Sequence, residues 1–354
     1  MRPGFWKGRR VFVTGHTGFK GSWLALWLQR HGAEVTGYAL APDTAPNLFT
    51  VANVASGMRS ILADVRNLDA LRSAMMKSRP EIVLHLAAQA LVRESYETPV
   101  ETYATNVMGR VNLLEAVRAA KSVRAVVVVT SDKCYENREW PWAYRENEPL
   151  GGRDPYSSSK ACAELVTSAY RHSFFRGADA PRVASARAGN VIGGGDWAKD
   201  RLVPDLLRAF EEGQPAVIRN PLAIRPWQHV LEPLAGYLAL AERLAEEPEG
   251  FDDGWNFGPY DADVRPVRWI ADELVAQWGD GASWAQDPGE HPHEAMTLKL
   301  DSTRARTLLG WRPRLTLANA LEWIVEWHKQ FAAAPQRAAE ITLGQLARFE
   351  ALTA

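Results

Sequence analysis

The chain has 354 residues, of which 46% are hydrophobic and 23% are charged, and its formal net charge is -1. This length allows a large core, and the even charge balance argues against nucleic acid or an anionic membrane surface as the partner. The two cysteines, Cys134 and Cys162, provide neither a disulfide framework nor a metal-type spacing. No apolar run approaches the length of a membrane span, and we expect a cytoplasmic protein.

Short β-rich runs alternate with helical patterns through the first half of the chain. The runs are RVFVT, EVTGY, RSILA, EIVLHLA and AVVVVT. This rhythm predicts an α/β fold with a doubly wound parallel sheet, the Rossmann arrangement. After about Arg187, turns rich in glycine and proline predict a smaller C-terminal substrate-binding lobe. We assign residues 1–188 to a dinucleotide-binding domain, with 222–258 returning to it, and 189–221 and 259–354 mainly to the smaller lobe.

Three glycines follow the first predicted strand, in the stretch VFVTGHTGFKGSWL. Gly15, Gly18 and Gly21 lie where the strand gives way to a helix, with Phe19 among them. Glycines at this place allow a tight turn and let backbone N–H groups approach a pyrophosphate at the helix N-terminus. The stretch therefore predicts a dinucleotide site.

Two residues further along could complete this site. Asp64, at the end of the third β-rich run, could accept a hydrogen bond from an adenine amine, or it could cap the next helix before Leu68. Ala87, in HLAAQ, leaves room beside a cofactor, or simply packs at a strand end. The second strand ends in TGYALAP, which has neither an acid for the ribose nor an arginine for a 2′-phosphate. NAD is favoured over NADP.

Tyr156 and Lys160 lie four residues apart in DPYSSSKACAELV, and hence on one face of a predicted helix. A nearby ammonium group favours the phenolate form of tyrosine, which can then take a proton from an alcohol. The plain alternative is a helix with one surface lysine.

A second pair of ionisable residues ends the apolar run in VVVVTSDKCYE. Asp132 and Lys133 together could give and take protons in an elimination, with Ser131 before them. A solvated loop could have the same composition, and the two side chains could also form a simple ion pair.

These motifs together resemble the extended short-chain dehydrogenase/reductase superfamily. The resemblance rests on Gly15–Gly21, Asp64, Asn106 in TNVMG, Tyr156 and Lys160, and it continues through RAGNVIG, RPWQHV, WNFGP and LGWRP. Nucleotide-sugar 4,6-dehydratases of this superfamily carry Ser/Thr-Asp-Glu where this chain has Ser131-Asp132-Lys133. Lysine at that place, with GHTGFKGSWL and HPHEAMTLKLD, is similar to the branch that acts on CDP-D-glucose.

The resemblance implies a closed cycle on bound NAD. Tyr156 would deprotonate the sugar C4 hydroxyl, aligned by Ser131, while hydride passes to NAD. Lys133 would then remove the C5 proton, and Asp132 would protonate the departing C6 hydroxyl. The hydride would return to C6 and give CDP-4-dehydro-6-deoxy-D-glucose, a product of deoxysugar biosynthesis of the kind used in lipopolysaccharide.

The resemblance also implies substrate ligands. Arg225 would meet the diphosphate, and Asn190 and Asn256 the sugar-phosphate region, although Asn190 could equally be a turn residue. Arg201 and Arg219 are further candidates for phosphate or ribose. HPHE has a metal-like composition but no completing ligands, so we expect no metal and a mobile loop there. The segment EWPWAYRENEP is predicted as a lid or as ordinary packing.

Two other functions use the same motifs. A nucleotide-sugar 4-epimerase or reductase would keep Tyr156 and Lys160 but would not need Asp132 and Lys133. A non-catalytic NAD-binding regulator would need neither pair. The stretch TNVMGRVNLLEAVRAA and the Tyr156 helix resemble the superfamily's dimer-forming helices, so we expect a homodimer or tetramer.

Overall fold

The computed structural model describes residues 2–177, 179–247, 249–289 and 295–352. Its strands, in chain order, are β1 (Arg10–Thr14), β2 (Glu34–Ala39), β3 (Arg59–Leu62), β4 (Ile82–His85), β5 (Ala125–Val129), β6 (Arg182–Ala188), β7 (Val191–Ile192), β8 (Ala216–Ile218), β9 (Ile224–Arg225), β10 (Gln228–His229), β11 (Gly254–Phe257), β12 (Arg265–Pro266) and β13 (Trp284–Gln286). Seven of them form one sheet in the order β11-β6-β5-β4-β1-β2-β3. All pairings in this sheet are parallel.

The α-helices cover both faces of this sheet and build the rest of the molecule. They are α1 (Phe19–Arg30), α2 (Leu48–Val51), α3 (Leu68–Ser78), α4 (Val92–Glu97), α5 (Pro99–Tyr103), α6 (Gly109–Ala119), α7 (Pro155–Phe174), α8 (Leu202–Glu211), α9 (Leu231–Glu246), α10 (Val267–Trp278), α11 (Leu317–Ala333) and α12 (Ala338–Ala351). None of the helices in the described ranges is both long and apolar enough to cross a lipid bilayer.

The central strands are apolar because both faces of the sheet are covered. Every residue of β5 is buried, as expected for a parallel strand between two helical layers. One core joins the sheet to α1, α9 and α12, and a second joins its other face to α3 and α6. The predicted doubly wound parallel sheet is confirmed.

A third core lies beside the sheet. It packs α8 against α10 and the first half of α11, with the short parallel pair β8–β13 at its edge. The chain enters this region after β6 and returns to the main sheet at β11, which pairs with β6. The domain boundaries assigned from the sequence stay a prediction.

Helix α7 begins at a side-chain cap. The Asp154 carboxylate accepts hydrogen bonds from the backbone N–H of Ser157 at 2.8 Å and from its hydroxyl at 2.6 Å. A capping carboxylate satisfies an N–H group that has no partner within the helix, and its charge suits the positive end of the helix dipole. This cap fixes the start of the helix that carries Tyr156 and Lys160.

We expect Asp154→Ala to lower the free energy of unfolding by about 1 kcal/mol, because the first turn loses its cap. The change is measured as a lower midpoint of urea-induced unfolding. The slope of the unfolding free energy against urea concentration should stay unchanged. Asp154→Asn is the matched control, since its side-chain oxygen still accepts the backbone bond. An alanine variant as stable as the parent protein would contradict the prediction.

Candidate active site

A cavity of about 960 Å³ opens at the carboxyl ends of the central strands. All the site residues predicted from the sequence line it except Asn256. Those that line it are Gly15, Gly18, Phe19, Gly21, Asp64, Ala87, Ser131, Asp132, Lys133, Tyr156, Lys160, Asn190, Arg201, Arg219 and Arg225. The structure therefore brings the predicted cofactor, catalytic and phosphate-binding residues to one place.

Two glycines beside the turn between β1 and α1, Gly15 and Gly21, have no room for a side chain. A Cβ on Gly21 would lie 2.0 Å from the carbonyl oxygen of Gly15, and a Cβ on Gly15 would lie 2.7 Å from the backbone nitrogen of Ala87. Gly18 precedes the helix without a side-chain cap, and the first turn holds no acidic residue. These free N–H groups and the dipole of α1 fit the diphosphate of a dinucleotide such as NAD.

Asp64 lines the cavity after the end of β3, and its carboxylate is held by Arg66. The backbone N–H and Nε of Arg66 each donate to it at 2.8 Å, and these bonds lower the pKa of Asp64. The cap of helix α3 is Asn67, whose side chain accepts from Ala70. Asp64 is therefore not the helix cap, and its carboxylate faces the cavity.

Tyr156 and Lys160 line the cavity together on one face of α7. The Lys160 Nζ lies 5.6 Å from the centre of the Tyr156 ring. Burial, and then the charge of Arg110, lower the pKa of Lys160 to about 7. Burial raises the pKa of Tyr156 to about 12, against an opposing hydrogen bond with Ser131. A cationic group close to this phenol is needed to lower its pKa enough for Tyr156 to act as a base.

Ser131, Asp132 and Lys133 form a single turn directly after β5. The Ser131 hydroxyl accepts from the backbone N–H of Lys133 at 3.2 Å and donates to the Asp132 carboxylate at 3.0 Å. The other oxygen of Asp132 is buried and has no hydrogen-bond partner among the described residues. Burial raises the pKa of Asp132 even against the nearby charge of Lys133. This shift favours the protonated acid, which is the form that can donate to a leaving group.

Three arginines, Arg201, Arg219 and Arg225, line the same cavity. Arg225 is buried and donates to the carbonyl of Ile224 at 2.9 Å. Arg201 pairs with Asp196, with an N–O distance of 2.9 Å. Planar guanidinium groups that are already oriented by the protein suit a diphosphate.

Arg219 and Asn190 complete the predicted substrate side. Arg219 pairs with Asp200 at 3.1 Å and lines the same cavity as Arg225. The carbonyl of Asn190, between β6 and β7, accepts from the backbone N–H of Gln228 in β10 at 3.0 Å, and the residue also lines the cavity. This bond belongs to the pairing of β7 with β10, so the position is not a turn.

Asn256 lies outside the cavity, unlike the other predicted substrate ligands. It is fully buried on β11, where its side chain donates to the carbonyls of Tyr144 and Asp301 at 2.9 and 3.1 Å. Its side-chain oxygen accepts from the Tyr135 hydroxyl at 2.7 Å. These bonds occupy the whole amide, so the position shows a structural contact where the sequence predicted a substrate contact.

Lys20 is a cavity residue that sequence reasoning missed. It lies in the first turn of α1, between Gly18 and Gly21, and burial, followed by the charge of Arg201, lowers its pKa to about 8. The signal was present as a charged residue inside GFKG.

Asn106 lies in a π-helical turn, Ala104–Met108, and donates to the Ser159 hydroxyl of α7 at 2.9 Å. This bond ties the turn to the helix of Tyr156.

Cys134 and two aromatic residues of the segment 139–149, Trp140 and Tyr144, are packed among neighbouring side chains. Cys134 is fully buried, and burial raises the pKa of its thiol, so it is not placed as a nucleophile. Trp140 stacks on Tyr144 at 5.3 Å between ring centres, and Tyr144 stacks on Tyr135 at 5.2 Å.

The HPHE stretch lies outside the described residues, and the residues that are described contain no cluster able to hold a metal ion.

We expect Gly21→Ala to lower NAD affinity at least about tenfold, because its methyl group would displace the backbone that receives the diphosphate. Titration of NAD, followed by calorimetry, measures the effect. Gly344→Ala is the matched control, since it lies on an exposed face of α12 with no atom within 4 Å of the added carbon. Equal affinities in the two variants would remove the glycine turn from the cofactor site.

Comparison with known proteins agrees with this geometry. The chain is 59% identical over 329 residues to the CDP-glucose 4,6-dehydratase of Salmonella typhimurium, with 92% of each chain covered. It is 28% identical over 329 residues to the UDP-glucose 4-epimerase of Mycolicibacterium smegmatis, covering 90% of this chain and 98% of that one. The fold is shared with the dTDP-glucose 4,6-dehydratase DesIV of Streptomyces venezuelae, solved with NAD, at a TM-score of 0.76 and 23% identity over 93% of this chain and all of that one. Residues 11–253 match the NAD dependent epimerase/dehydratase family, and the chain belongs to that family.

Proposed function

We propose that this protein removes water from CDP-D-glucose and forms CDP-4-dehydro-6-deoxy-D-glucose, a reaction of deoxysugar biosynthesis. The observation that carries the proposal is the meeting of two ionisable pairs in one cavity: Tyr156 with Lys160, and Asp132 with Lys133. A 4-epimerase needs the first pair only. The similarity to the Salmonella dehydratase supports the choice of reaction and of nucleotide.

Bound NAD supplies a hydride acceptor for C4 of the sugar and a hydride donor for C6. The chain's own residues handle the protons. The phenolate form of Tyr156, stabilised by the charge of Lys160, takes the proton of the C4 hydroxyl. Ser131, which interacts with Tyr156, orients the same hydroxyl.

Loss of water then depends on the Asp132–Lys133 pair. The C4 ketone acidifies the C5 hydrogen, and Lys133 removes it as a proton, a role that requires the amine form of this lysine. The C5–H bond electrons form a C5=C6 double bond, and the C6–O bond breaks. Asp132, whose pKa is raised by burial toward the protonated form, gives its proton to the departing oxygen, which leaves as water. Hydride at C6 and a proton at C5 complete the product.

The arginines explain how a protein of net charge -1 binds a dianionic diphosphate. Arg225 contacts the diphosphate, with Arg201 and Arg219 toward the phosphate and ribose and Asn190 toward the sugar. Arginine pairs with phosphate oxygens through two parallel hydrogen bonds, so a few placed side chains replace a general positive field. We assign the cytosine preference from the similarity to the Salmonella protein alone.

The test is a comparison of four nucleotide sugars. The protein is incubated with NAD and with CDP-, UDP-, dTDP- or GDP-glucose, and the 4-keto product is measured by its absorbance in alkali. CDP-glucose should give the highest kcat/KM. A higher value for another nucleotide would overturn the base assignment, and the absence of a keto sugar in all four would overturn the dehydratase.

Lys133→Ala should separate oxidation from elimination. Without the base for C5, NADH should form on mixing with CDP-glucose and its absorbance should persist, whereas the parent protein shows no net reduction. Deuterium at C4 of the substrate should reappear at C6 of the parent protein's product. Tyr156→Phe is the control, because it should block oxidation itself and form no NADH. Full dehydratase activity in Lys133→Ala would return that lysine to the rank of a loop residue.

We also propose that the protein forms a homodimer, or a tetramer built from such dimers. Large apolar side chains stay exposed on neighbouring helical segments: Val100 on α5 is 73% exposed, Met108 in the π-turn 52% and Leu165 on α7 58%. Because α5 and the π-turn pack beside α7, these side chains can form one apolar face for a second copy.

The double variant Val100→Glu, Leu165→Glu should halve the mass measured by light scattering, because two charges would be buried on each side of the interface. Leu308→Glu is the matched control, since that side chain is also exposed but lies on another part of the molecule. A variant with the parent's mass, or a parent protein that is itself a monomer, would contradict the proposed interface.

A further inference from the structure

A buried ion pair lies directly behind the turn that carries Asp132 and Lys133. The Arg187 guanidinium on β6 donates to the Glu164 carboxylate on α7 at 2.8 Å. Their side chains are only 6% and 2% exposed. Although burial raises it, the charge of Arg187 and hydrogen bonds hold the pKa of Glu164 below its ordinary value. The pair is therefore charged, and neither partner has access to substrate.

The residues on either side of the turn both bind this ion pair. Thr130, immediately before the turn, donates from its hydroxyl to one oxygen of Glu164, and Arg187 donates to the other. Tyr135, immediately after the turn, accepts from Arg187 at 2.8 Å through its hydroxyl oxygen. We infer that Glu164 and Arg187 are positioning residues for the dehydration, because they clamp both ends of the turn that carries its acid and base. This inference rests on the proposed function.

The turn depends on these outside contacts because it has little structure of its own. Its 3₁₀ segment, Asp132–Cys134, is three residues long, and its backbone bond from Cys134 to Ser131 is 3.3 Å. Hydrogen bonds in such short helices have poor geometry. Tyr156 and Lys160, by contrast, sit on a 20-residue helix with its own cap. Loss of the clamp should therefore disturb the elimination more than the oxidation.

Glu164 also links the two ionisable pairs. It follows Lys160 by four residues on α7, so the two side chains lie on one face of that helix. The same carboxylate that belongs to the oxidising helix thus holds the eliminating turn. The chain of bonds continues from the Tyr135 hydroxyl to Asn256, at 2.7 Å, and so to β11. This gives Asn256 a place in the site without substrate contact.

The test removes the two ends of the clamp and leaves the ion pair intact. Mutation of Glu164 or Arg187 would leave an unpaired buried charge and would endanger folding. Thr130→Val and Tyr135→Phe each remove one hydroxyl at constant shape. Tyr144→Phe is the matched control: it removes the hydroxyl of a stacked neighbour, which bonds Arg138 and Asn137 and not the ion pair.

Three quantities are measured in each variant. Turnover of CDP-glucose to the keto sugar should fall at least about tenfold in Thr130→Val and Tyr135→Phe, the scale expected for a misplaced catalytic group. The rate of NADH formation in a single turnover should change little, so NADH should accumulate. In the protein without cofactor, amide hydrogen exchange should quicken in residues 130–136 and stay unchanged in 155–174. Tyr144→Phe should match the parent protein in all three.

Equal loss of both rates, with faster exchange in the helix as well, would make the ion pair a general stabiliser and overturn the inference. Unchanged turnover in both variants would overturn it too. Failure of the proposed function would look different, since the parent protein itself would then form no keto sugar. The exchange measurement would still decide whether the ion pair holds the turn.

Discussion

The site exists because all seven strands of the central sheet run in the same direction. Their carboxyl ends meet at one edge, and so do the loops that follow them. Gly15 follows β1, Ala87 follows β4, Ser131 follows β5 and Asn190 follows β6. Through that single constraint, residues as far apart along the chain as Gly15 and Asn190 line one cavity. Helices on both faces bury the sheet, whereas the cavity opens at this edge.

Burial shifts the pKa values of acids and of amines in opposite directions within the same cavity. Removing charge from water raises the pKa of an acid and lowers that of an amine. Asp132 is moved toward its protonated form, while Lys160 is brought to about 7. An acid that can donate and a lysine near its titration point can thus coexist at neutral pH. In this cavity, the burial of each ionisable residue is as important as its identity.

The sequence was most informative where a signal is local. The glycine spacing, the four-residue step from Tyr156 to Lys160 and the contiguous Asp132-Lys133 could each be read within one short stretch, and each lines the cavity. The alternation of β-rich and helical runs was likewise enough for the parallel sheet. In every case the geometry follows from neighbouring residues on one strand, turn or helix.

Contacts between distant residues left no such signal. Asn256 bonds partners 121 and 112 positions away, and a sequence pattern cannot show that its amide is already used. Glu164 and Arg187 are 23 positions apart on a helix and a strand, where each resembles an ordinary surface charge until the fold buries both. Lys20 left no pattern of its own, because a single charged residue beside glycines does not show whether its side chain lies in a cavity or in solvent.

The anchors of the catalytic turn have a consequence for how such proteins diversify. Thr130 and Tyr135, on the two sides of positions 132 and 133, each bond one partner of the ion pair. Selection can therefore replace the acid or the amine by another residue without undoing either anchor. The residues at positions 132 and 133 can thus vary while the backbone that presents them keeps the same two supports.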